Sequence, residues 1–342
     1  MTPYLLSLLK DPKTGGQLKL INEVYDHNGI IVSGDLESSA GDIYPIINSI
    51  PRFLNFTSVH TVEAFGNQWN FFNFTQFKEN WLNHTVKNTW GNSDFFKNKI
   101  IIDAGGGSGA QTKWFLEYGA KHVVILDLSH SLDDVVKRNL KNIDPSKYDL
   151  IQCSIDNPPL KENNFKGLIY CHNVIQHTPS VEKTLNALYK LLSSGGELAF
   201  NCYPLNDKGL IRWIRFHLVY KTLRKLLKKM PFKIRLNYAR IVSLIRLIPI
   251  IGILFEKCNF VFQGDVPKIV GESLISNLKR RYRCAVLNTF DYYGAHTYQW
   301  HLSNDQIEKI ISNQNPKPSF ILNKSKYFQR PQPIGCAIRL IK

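Results

Sequence analysis

Short uninterrupted apolar runs alternate with amphipathic stretches through the middle of the chain. The run Ile100–Ile102 contains only β-branched residues, as expected for a strand that is buried on both faces of a parallel sheet. Four further stretches with the character of strands follow, at residues 123–126, 149–153, 168–171 and 197–202. Helical patterns lie between them, notably at residues 111–117, 135–140 and 181–192. This alternation predicts an α/β fold with a mainly parallel sheet.

The pattern changes on the N-terminal side of this core, which we place at residues 98–206. Short apolar runs separated by glycine-containing turns predict a small β domain at residues 1–54. Residues 55–97 are rich in aromatic residues and asparagine, and we expect helices there that cover the sheet edge.

On the C-terminal side, residues 207–283 predict a basic helical insertion that is interrupted at Pro231 and Pro249. Residues 284–342 predict the end of an aromatic loop that begins near Tyr282, then a last helix and a closing β-hairpin. The helix is expected to begin at the capping sequence Ser303–Gln306.

A glycine-rich turn follows the first core strand. That strand ends on Asp103. The turn that follows contains Gly105, Gly107 and Gly109. The second strand ends on Asp127, about twenty residues later. A dinucleotide site is one interpretation, but a pyrophosphate would be repelled by the first acid. S-adenosylmethionine (SAM) has no phosphate, its ammonium group matches that acid, and its ribose hydroxyls can bond to the second. The spacing therefore favours a SAM site.

Four stretches of the core resemble one enzyme family: Ile101–Gly109, Val123–Ser129, Val174–Pro179 and Leu191–Leu198. They are similar to class I SAM-dependent methyltransferases, most of all to the ubiquinone-methyltransferase-like group. The resemblance implies a Rossmann-like sheet closed by an antiparallel hairpin, and methyl transfer from SAM. It also implies a set of cofactor-binding residues: Asp103, Gly105, Gly107, Gly109, Asp127, Leu128, Ser154, Ile155 and Asn173.

Two positions depart from the family pattern. Ser154 stands where an acid usually meets the adenine amine, with Asp156 two residues further on. Gly167 stands where the fourth strand usually begins with an acid. These departures motivate one alternative function, a SAM-binding scaffold without transfer activity.

The end of the N-terminal domain, Tyr44–Leu54, resembles the close of a small zinc-ribbon-like domain found beside some methyltransferases. That domain usually carries a cysteine pair around the turn that corresponds to Leu8–Lys13, and this chain has no cysteine there. His27 is the only cysteine or histidine in residues 1–54, so we expect no zinc.

Methyl transfer depends mainly on proximity and alignment, so the sequence need not show a catalytic dyad. His177 follows the fourth strand and is the candidate general base for a hydroxyl acceptor. The alternative is that His177 caps the turn before Pro179. The candidate acceptor-binding residues are Phe65, Gln68, Trp69, Asp291, Tyr292 and His301.

The formal net charge of +16 is unevenly distributed. Residues 1–207 contain 18 basic and 21 acidic residues, whereas residues 208–342 contain 25 basic and 6 acidic ones. Lys208–Arg246 contains twelve basic residues and no acid. Three interpretations stay open: a helical cover over the active site, contact with an anionic membrane or a lipid-linked acceptor, and RNA binding, which we rank last.

The six cysteines are scattered singly, and the apolar run at residues 4–9 is too short for a signal peptide. We therefore expect a cytoplasmic protein, with a peripheral position at the membrane as a further option. The predicted function is methyl transfer to a small-molecule, glycan or lipid-linked acceptor, with RNA methylation as the alternative. The sequence leaves the acceptor, the methylated atom and the oligomeric state open.

Overall fold

The structure is a computed structural model that describes residues 1–54, 74–264, 266, 271–324 and 338–342. Two compact units are present among these residues. The first contains residues 1–202, 304–324 and 338–342, and the second contains residues 203–303 apart from the gaps given above. Three of the predicted acceptor-binding residues lie outside the described residues: Phe65, Gln68 and Trp69.

The chain begins with a helix and a four-stranded antiparallel sheet, in agreement with the predicted small β domain. The strands are arranged in sequential order, so each one pairs with the next. The elements are α1 (Pro3–Leu8), β1 (Leu18–Tyr25), β2 (Ile31–Ser38), β3 (Ile43–Ile47) and β4 (Ile50–Pro51).

A buried carboxylate organises the loop between α1 and β1. Oδ1 of Asp11 accepts hydrogen bonds from the Tyr44 hydroxyl at 2.7 Å and from the Lys13 amide at 3.1 Å. Oδ2 of Asp11 accepts from the Thr14 hydroxyl at 2.6 Å. These bonds stabilise the ionised form and hold the pKa of Asp11 below its usual value, although burial opposes them. Asp11 therefore fixes the loop at the place where the zinc-ribbon-like domain that it resembles usually carries a cysteine pair.

The N-terminal sheet is attached to the core at the outer strand of the core sheet. The amide of Phe53 donates to the carbonyl of Gln152 at 2.8 Å. The Arg52 guanidinium bonds both carboxylate oxygens of Asp133, at 3.0 and 2.6 Å, and the Gln152 side chain at 2.7 Å. Asp149 accepts from the amide and hydroxyl of Thr2. Residues 1–54 and the core thus form one packed unit.

Short helical segments precede the core strand, as predicted for the C-terminal part of residues 55–97. Trp81 is their central residue: its Nε1 donates to the Tyr170 hydroxyl at 2.9 Å, and its ring packs against Phe96 and Trp114. The segments are the 3-10 turn Thr75–Phe77, α2 (Lys78–Asn80), the π segment Trp81–Val86, α3 (Lys87–Trp90) and the 3-10 turn Ser93–Phe96.

The core alternates strands and helices, as its apolar pattern predicts. Its strands are buried on both faces, since every residue of β6 and β8 is buried. The strands are β5 (Ile100–Ala104), β6 (His122–Asp127), β7 (Tyr148–Gln152), β8 (Leu168–Cys171) and β9 (Glu197–Phe200). The helices are α4 (Ala110–Glu117), α5 (Val135–Leu140) and α6 (Val181–Leu191), with 3-10 turns at His130–Leu132, Pro145–Lys147 and Ile175–His177.

The second unit is mainly helical, and its helices are interrupted near Pro231 and Pro249 as predicted. Its elements are β10 (Tyr203–Pro204), α7 (Leu210–Trp213), the π segment Ile214–Tyr220, α8 (Lys221–Leu227), α9 (Phe232–Arg246), α10 (Ile251–Lys257), α11 (Leu274–Phe290), the π segment Asp291–Ala295 and β11 (His301–Leu302).

One sequence prediction for this unit is wrong. We expected an aromatic loop from about Tyr282 to Trp300, but α11 continues as far as Phe290, and a π segment follows it. The helix is stabilised by packing, because Cys284, Ala285 and Val286 are all buried.

The chain returns to the first unit with α12 (Asn304–Ser312), β12 (Phe320–Asn323) and β13 (Ile338–Ile341). The core sheet has seven strands in the order β12-β13-β9-β8-β5-β6-β7. Strands β9 to β7 of this order are parallel, whereas β13 is antiparallel to both of its neighbours. This confirms the predicted α/β sheet with its closing antiparallel pair. Within the described parts of the chain, no helix combines the length and the apolar character needed to cross a bilayer.

Candidate functional site

Asp103 lies in the centre of the core sheet, close to the carboxyl end of β5. It is paired with Ile125 of β6 and Tyr170 of β8, and it is only 3% exposed. Its Oδ2 accepts a hydrogen bond from the Thr112 hydroxyl at 2.7 Å. Burial raises the pKa of Asp103 to about 7, and the Thr112 bond opposes that rise. The side chain therefore changes charge near neutral pH.

The glycine turn after β5 needs residues without side chains. Gly105, Gly107 and Gly109 have φ angles of 82°, 54° and 72°, which is the left-handed region that glycine occupies without strain. The amide of Gly105 donates to the Leu126 carbonyl at 2.7 Å, so the turn lies across the end of β6. A Cβ atom on Gly105 would lie 2.3 Å from Cγ1 of Val174. The three predicted glycines are thus required by the geometry of the turn.

Gly106 also contributes, although the sequence analysis did not select it. A Cβ atom at this position would lie 2.6 Å from Cγ2 of Ile125 and 3.1 Å from Oδ2 of Asp103. The Asp103 carboxylate therefore occupies the space beside this glycine. The sequence does indicate the importance of Gly106, because Gly105, Gly106 and Gly107 are consecutive.

Asp127 ends β6 and is tied to the glycine turn. Its Oδ2 accepts from the Gly107 amide at 2.8 Å, and its Oδ1 accepts from the amide and hydroxyl of Ser129 at 2.8 and 2.6 Å. The Ser131 hydroxyl donates to the Gly107 carbonyl at 2.8 Å and closes a ring of hydrogen bonds. Burial raises the pKa of Asp127, and these bonds oppose the rise. Sequence reasoning missed both serines.

The residues predicted to hold the adenine are arranged beside Asp127. Gln152 donates through its side-chain amide to the Leu128 carbonyl at 3.2 Å. The hydroxyl of Ser154 donates to Asp156, and Ile155 is buried. The carboxylate that the family usually places at the end of the third strand is thus present two residues later, hydrogen-bonded to the serine that takes its place.

Asn173 follows β8 and pairs with an asparagine that follows β9. Its amide donates to Oδ1 of Asn201 at 2.6 Å, and its own Oδ1 accepts from Nδ2 of Asn201 at 2.6 Å. Asn173 has a φ angle of 57°, a conformation that asparagine tolerates better than most residues. Asn201 was not predicted, because nothing in the linear sequence shows that the two strands are neighbours.

Three polar side chains that are buried wholly or in part lie beyond the end of β8: His172, Gln176 and His177. Gln176 is fully buried, and neither its Oε1 nor its Nε2 has a hydrogen-bond partner among the residues that the structure describes. Burial lowers the pKa of His172 to about 4, and its Nε2 is also buried without a partner. His177, the predicted base, is buried at the end of the 3-10 turn Ile175–His177. Unpaired buried amides are rare in folded proteins, so Gln176 is a candidate ligand-binding residue.

These residues fit SAM. The core supplies a buried acid that can ionise, a turn whose glycines leave backbone accessible, and a second carboxylate that is held at the sheet edge. Oδ2 of Asp127 accepts one hydrogen bond and keeps one acceptor site, which can accept a hydroxyl group. Asp103, Asp127 and the glycines would hold the amino acid and ribose ends, and Leu128, Ser154 and Ile155 would hold the adenine.

The predicted acceptor-binding residues Asp291, Tyr292 and His301 come together within the second unit. The Tyr292 ring stacks on Tyr203, with centroids 5.1 Å apart, and on Phe262, at 3.9 Å. The centroids of Tyr292 and His301 are 6.0 Å apart. Burial, with smaller contributions from neighbouring cations, lowers the pKa of His301 to about 3. His301 is therefore uncharged in this aromatic cluster.

The segment that carries these residues is held by arginine and by an acid–imidazole pair. The two terminal nitrogens of Arg224 donate to the carbonyls of Tyr292 and His296, at 2.5 and 2.7 Å. Nε2 of His296 lies 2.7 Å from Oδ1 of Asp291. The Tyr203 hydroxyl also donates to Asp291. Part of the basic charge of this unit thus serves its own packing.

Residues 102–200 match a sequence model of the family described as "Methyltransferase domain". The match covers less than a third of the chain and includes Asp103, the glycine turn, Asp127 and His177. A comparison with curated proteins finds no match. The core therefore matches a methyltransferase domain over residues 102–200, which agrees with the methyl transfer that the sequence predicted.

A comparison with solved structures finds partial matches to methyltransferases. A protein from Bacillus halodurans C-125 assigned as a methyltransferase is 21% identical, with a TM-score of 0.32; the alignment covers 38% of this chain and 54% of that one. A SAM-dependent methyltransferase from Mesorhizobium loti is 23% identical, with a TM-score of 0.29, and the alignment covers 33% and 51% of the two chains. This chain thus spans about half the length of these structures.

Proposed function

We propose that this protein transfers the methyl group of SAM to a small-molecule acceptor or to a glycan or lipid-linked precursor. The observation that carries the proposal is the hydrogen bond between Gly107 and Asp127, which joins the glycine turn to the second acid at the carboxyl edge of a parallel sheet. Ligands of open α/β sheets bind at this edge. The match of residues 102–200 to a methyltransferase domain supports the same assignment.

When bound, SAM supplies a methyl group on a positively charged sulfur, and an acceptor nucleophile displaces the sulfur in line. The residues of this chain have to orient the donor. Asp103 would pair with its ammonium group, Asp127 would accept from its ribose hydroxyls, and the turn at Gly105–Gly109 would present backbone to it. Alignment of this kind can supply most of the acceleration.

His177 is the base that we assign to a hydroxyl acceptor. It is buried, it follows β8, and it lies next to Gln176, whose amide has no partner. A neutral imidazole can take the proton of a hydroxyl as the new bond to carbon forms. An amine acceptor in its neutral form would not need this step.

We assign the protein to the ubiquinone-methyltransferase-like group, and residues 1–54 to a zinc-ribbon-like module without metal ligands. The antiparallel sheet of residues 18–51 supports the second assignment, together with the Asp11 bonds that hold the loop where the cysteine pair would lie. Asp11 gives that loop an anchor that does not depend on zinc.

Binding of SAM and of S-adenosylhomocysteine, measured by calorimetry, tests the donor assignment. We expect both to bind to the wild-type protein, and Asp127→Ala to weaken both. Asp134→Ala is the matched control, because Asp134 is an exposed carboxylate of the same loop without a side-chain hydrogen bond. If wild-type protein binds neither ligand, the proposal fails.

Transfer itself requires a second assay. Labelled methyl from SAM should enter a glycan or lipid fraction of a cell extract, and His177→Ala should lower the rate without weakening SAM binding. Label in RNA would instead support the alternative acceptor. Tight SAM binding without transfer to any fraction would support the non-catalytic scaffold.

A further inference from the structure

The exposed apolar side chains of this protein are concentrated in its second unit. Of the 25 large apolar side chains that are exposed among the described residues, 19 belong to residues 203–303. Scattered exposed apolar residues are normal on soluble proteins, but a concentration of them marks an interaction surface.

Helix α9 has two apolar faces. Leu236, Ala239 and Val242 are buried, and Val242 packs with Ala285 of α11. The opposite face exposes Ile234, Ile241 and Leu244, whose spacing places them in one row along the helix. Among the described residues of this unit, the hydrophobic clusters do not include Ile234, Ile241 or Leu244. A helix of this type normally has a second apolar partner.

The exposed row continues into the turn between α9 and α10. Ile248 follows Leu244 by four residues. Ile250, directly before α10, and Leu254, within α10, are also exposed apolar residues. We call these six residues the apolar ridge: Ile234, Ile241, Leu244, Ile248, Ile250 and Leu254, with side chains between 47% and 73% exposed.

Lysines flank the start of the ridge. Lys228, Lys229 and Lys233 are exposed, and none of them is within salt-bridge distance of a carboxylate in the described part of the chain. The arginines of the same region behave differently. Arg224 and Arg235 donate to backbone carbonyls of residues 292–296 inside the unit. The solvent-facing charge next to the ridge therefore comes mainly from lysine.

We propose that the apolar ridge and the lysines beside it dock this protein on an anionic lipid bilayer. The ridge would enter the interface between head groups and acyl chains, and the ammonium groups would contact lipid phosphates. This inference does not depend on the proposed methyl transfer. It would place the protein where a lipid-linked acceptor is found.

Two other occupants fit less well. RNA is bound through phosphate contacts and stacking on aromatic rings, and it would leave six aliphatic side chains in water. A second copy of the chain would cover the aliphatic side chains, but it would bring two sets of unpaired lysines together. An anionic bilayer satisfies both the apolar and the charged part of the surface.

Flotation with vesicles tests the proposal, using phosphatidylcholine alone and equal parts of phosphatidylcholine and phosphatidylglycerol. We expect wild-type protein to float with the anionic vesicles, to float weakly with the neutral ones, and to be released by high salt. The ridge variant Ile241→Ser/Leu244→Ser should lower anionic binding by about tenfold or more. The lysine variant Lys228→Gln/Lys229→Gln/Lys233→Gln should also bind less and become insensitive to salt.

Ile43→Ser/Ile47→Ser is the matched control, because these two isoleucines are equally exposed, at 49% and 50%, in the N-terminal sheet. It should float like the wild type. All variants should keep the wild-type melting temperature and SAM affinity, since every substituted side chain is on the surface. A ridge variant that floats like the wild type would overturn the proposal.

Two further outcomes also overturn it. One is salt-sensitive RNA retention that the lysine variant loses and the ridge variant keeps, without any vesicle binding. The other is a wild-type dimer that the ridge variant converts to a monomer, again without vesicle binding.

Discussion

The backbone amide of Gly107 donates to Oδ2 of Asp127 across 2.8 Å, so the glycine turn and the carboxyl end of β6 are directly bonded. A charged acceptor makes this a strong hydrogen bond. Any ligand that binds the Asp127 carboxylate therefore meets a side chain whose position is already set.

Replacement of the carboxylate should weaken SAM binding without unfolding the protein. Asp127→Asn keeps one acceptor oxygen, which serves one of the groups that donate to Asp127. It loses the negative charge and the second acceptor oxygen. We expect the dissociation constant for SAM to rise by about ten- to a hundredfold, the size of one or two charge-assisted hydrogen bonds. Calorimetry measures this effect, and Asp134→Asn should leave the affinity unchanged.

Gly105→Ala should damage the turn more than an ordinary glycine substitution. A left-handed conformation alone costs an alanine about 1–2 kcal/mol, and the new Cβ would also lie 2.3 Å from Val174. Gly41→Ala is the control, because Gly41 has a φ angle of 84° and nothing within 4 Å of the added carbon. Urea unfolding should show a larger loss for Gly105→Ala. Equal losses would mean that Val174 moves aside freely.

SAM affinity should depend on pH through Asp103. Burial raises the pKa of Asp103 to about 7, so the carboxyl is largely protonated at pH 6 and ionised at pH 8. Only the ionised form attracts the ammonium group of SAM, and binding should therefore tighten as the pH rises through this range. Titration of the affinity between these values tests the effect. A pH dependence that survives in Asp103→Asn would assign it to another group.

The raised pKa of Asp103 also predicts how the stability of the free protein changes with pH. Because the folded pKa of Asp103 is above the value in an unfolded chain, folding favours the protonated acid. The stabilising contribution is present at low pH and is lost as the pH rises toward about 7. Without SAM, the free energy of unfolding of the Asp103→Asn variant should therefore fall less than that of the wild type as the pH rises toward about 7.

The side-chain amide of Gln176 should contribute to ligand binding and not to the stability of the fold. Gln176→Met removes two buried polar atoms that have no partner, so the free protein should be equally stable or about 1 kcal/mol more stable. The methyl-transfer rate should fall. Gln314→Met is the matched control: Gln314 is buried in the same unit but bonds Asn186 at 2.7 Å and the Ile310 carbonyl at 2.9 Å, so its loss should destabilise.

The ion pair of Arg52 and Asp133 should contribute to the attachment of the N-terminal sheet. Arg52→Ala removes bonds at 2.6 and 3.0 Å to Asp133 and one at 2.7 Å to Gln152. Since both partners are partly shielded from water, we expect a loss of about 1–3 kcal/mol in the free energy of unfolding. Lys13→Ala, which breaks the more exposed pair with Asp42, should cost less than about 1 kcal/mol. A double-mutant cycle with Asp133→Ala isolates the pair energy.

The buried strands of the core and the acids at their carboxyl ends could be predicted from the sequence, because both depend on local features. β-branched runs such as Ile100–Ile102 indicate buried strands, and an acid at the end of such a run lies at the sheet edge. The glycine spacing is also local. These features need no knowledge of which strands are neighbours.

The rest depends on contacts between distant residues. Asn201 meets Asn173 only because β9 lies beside β8, and Ser131 reaches Gly107 only because the chain turns back after β6. Helix α11 was mistaken for a loop over residues 282–290 because its basic and aromatic residues hide the buried stripe that packs on α9. The apolar ridge could not be identified either, since its residues look like a buried helix face until the packing is known.

The bond between Phe53 and Gln152 has a consequence for how the chain is made. Strand β7 is the edge of the seven-stranded sheet, and an unpaired edge of apolar residues can recruit another chain. Residues 1–54 leave the ribosome before Tyr148–Gln152, so the segment that covers this edge exists before the strand itself. We therefore expect the order of synthesis to limit pairing of this edge with a neighbouring nascent protein.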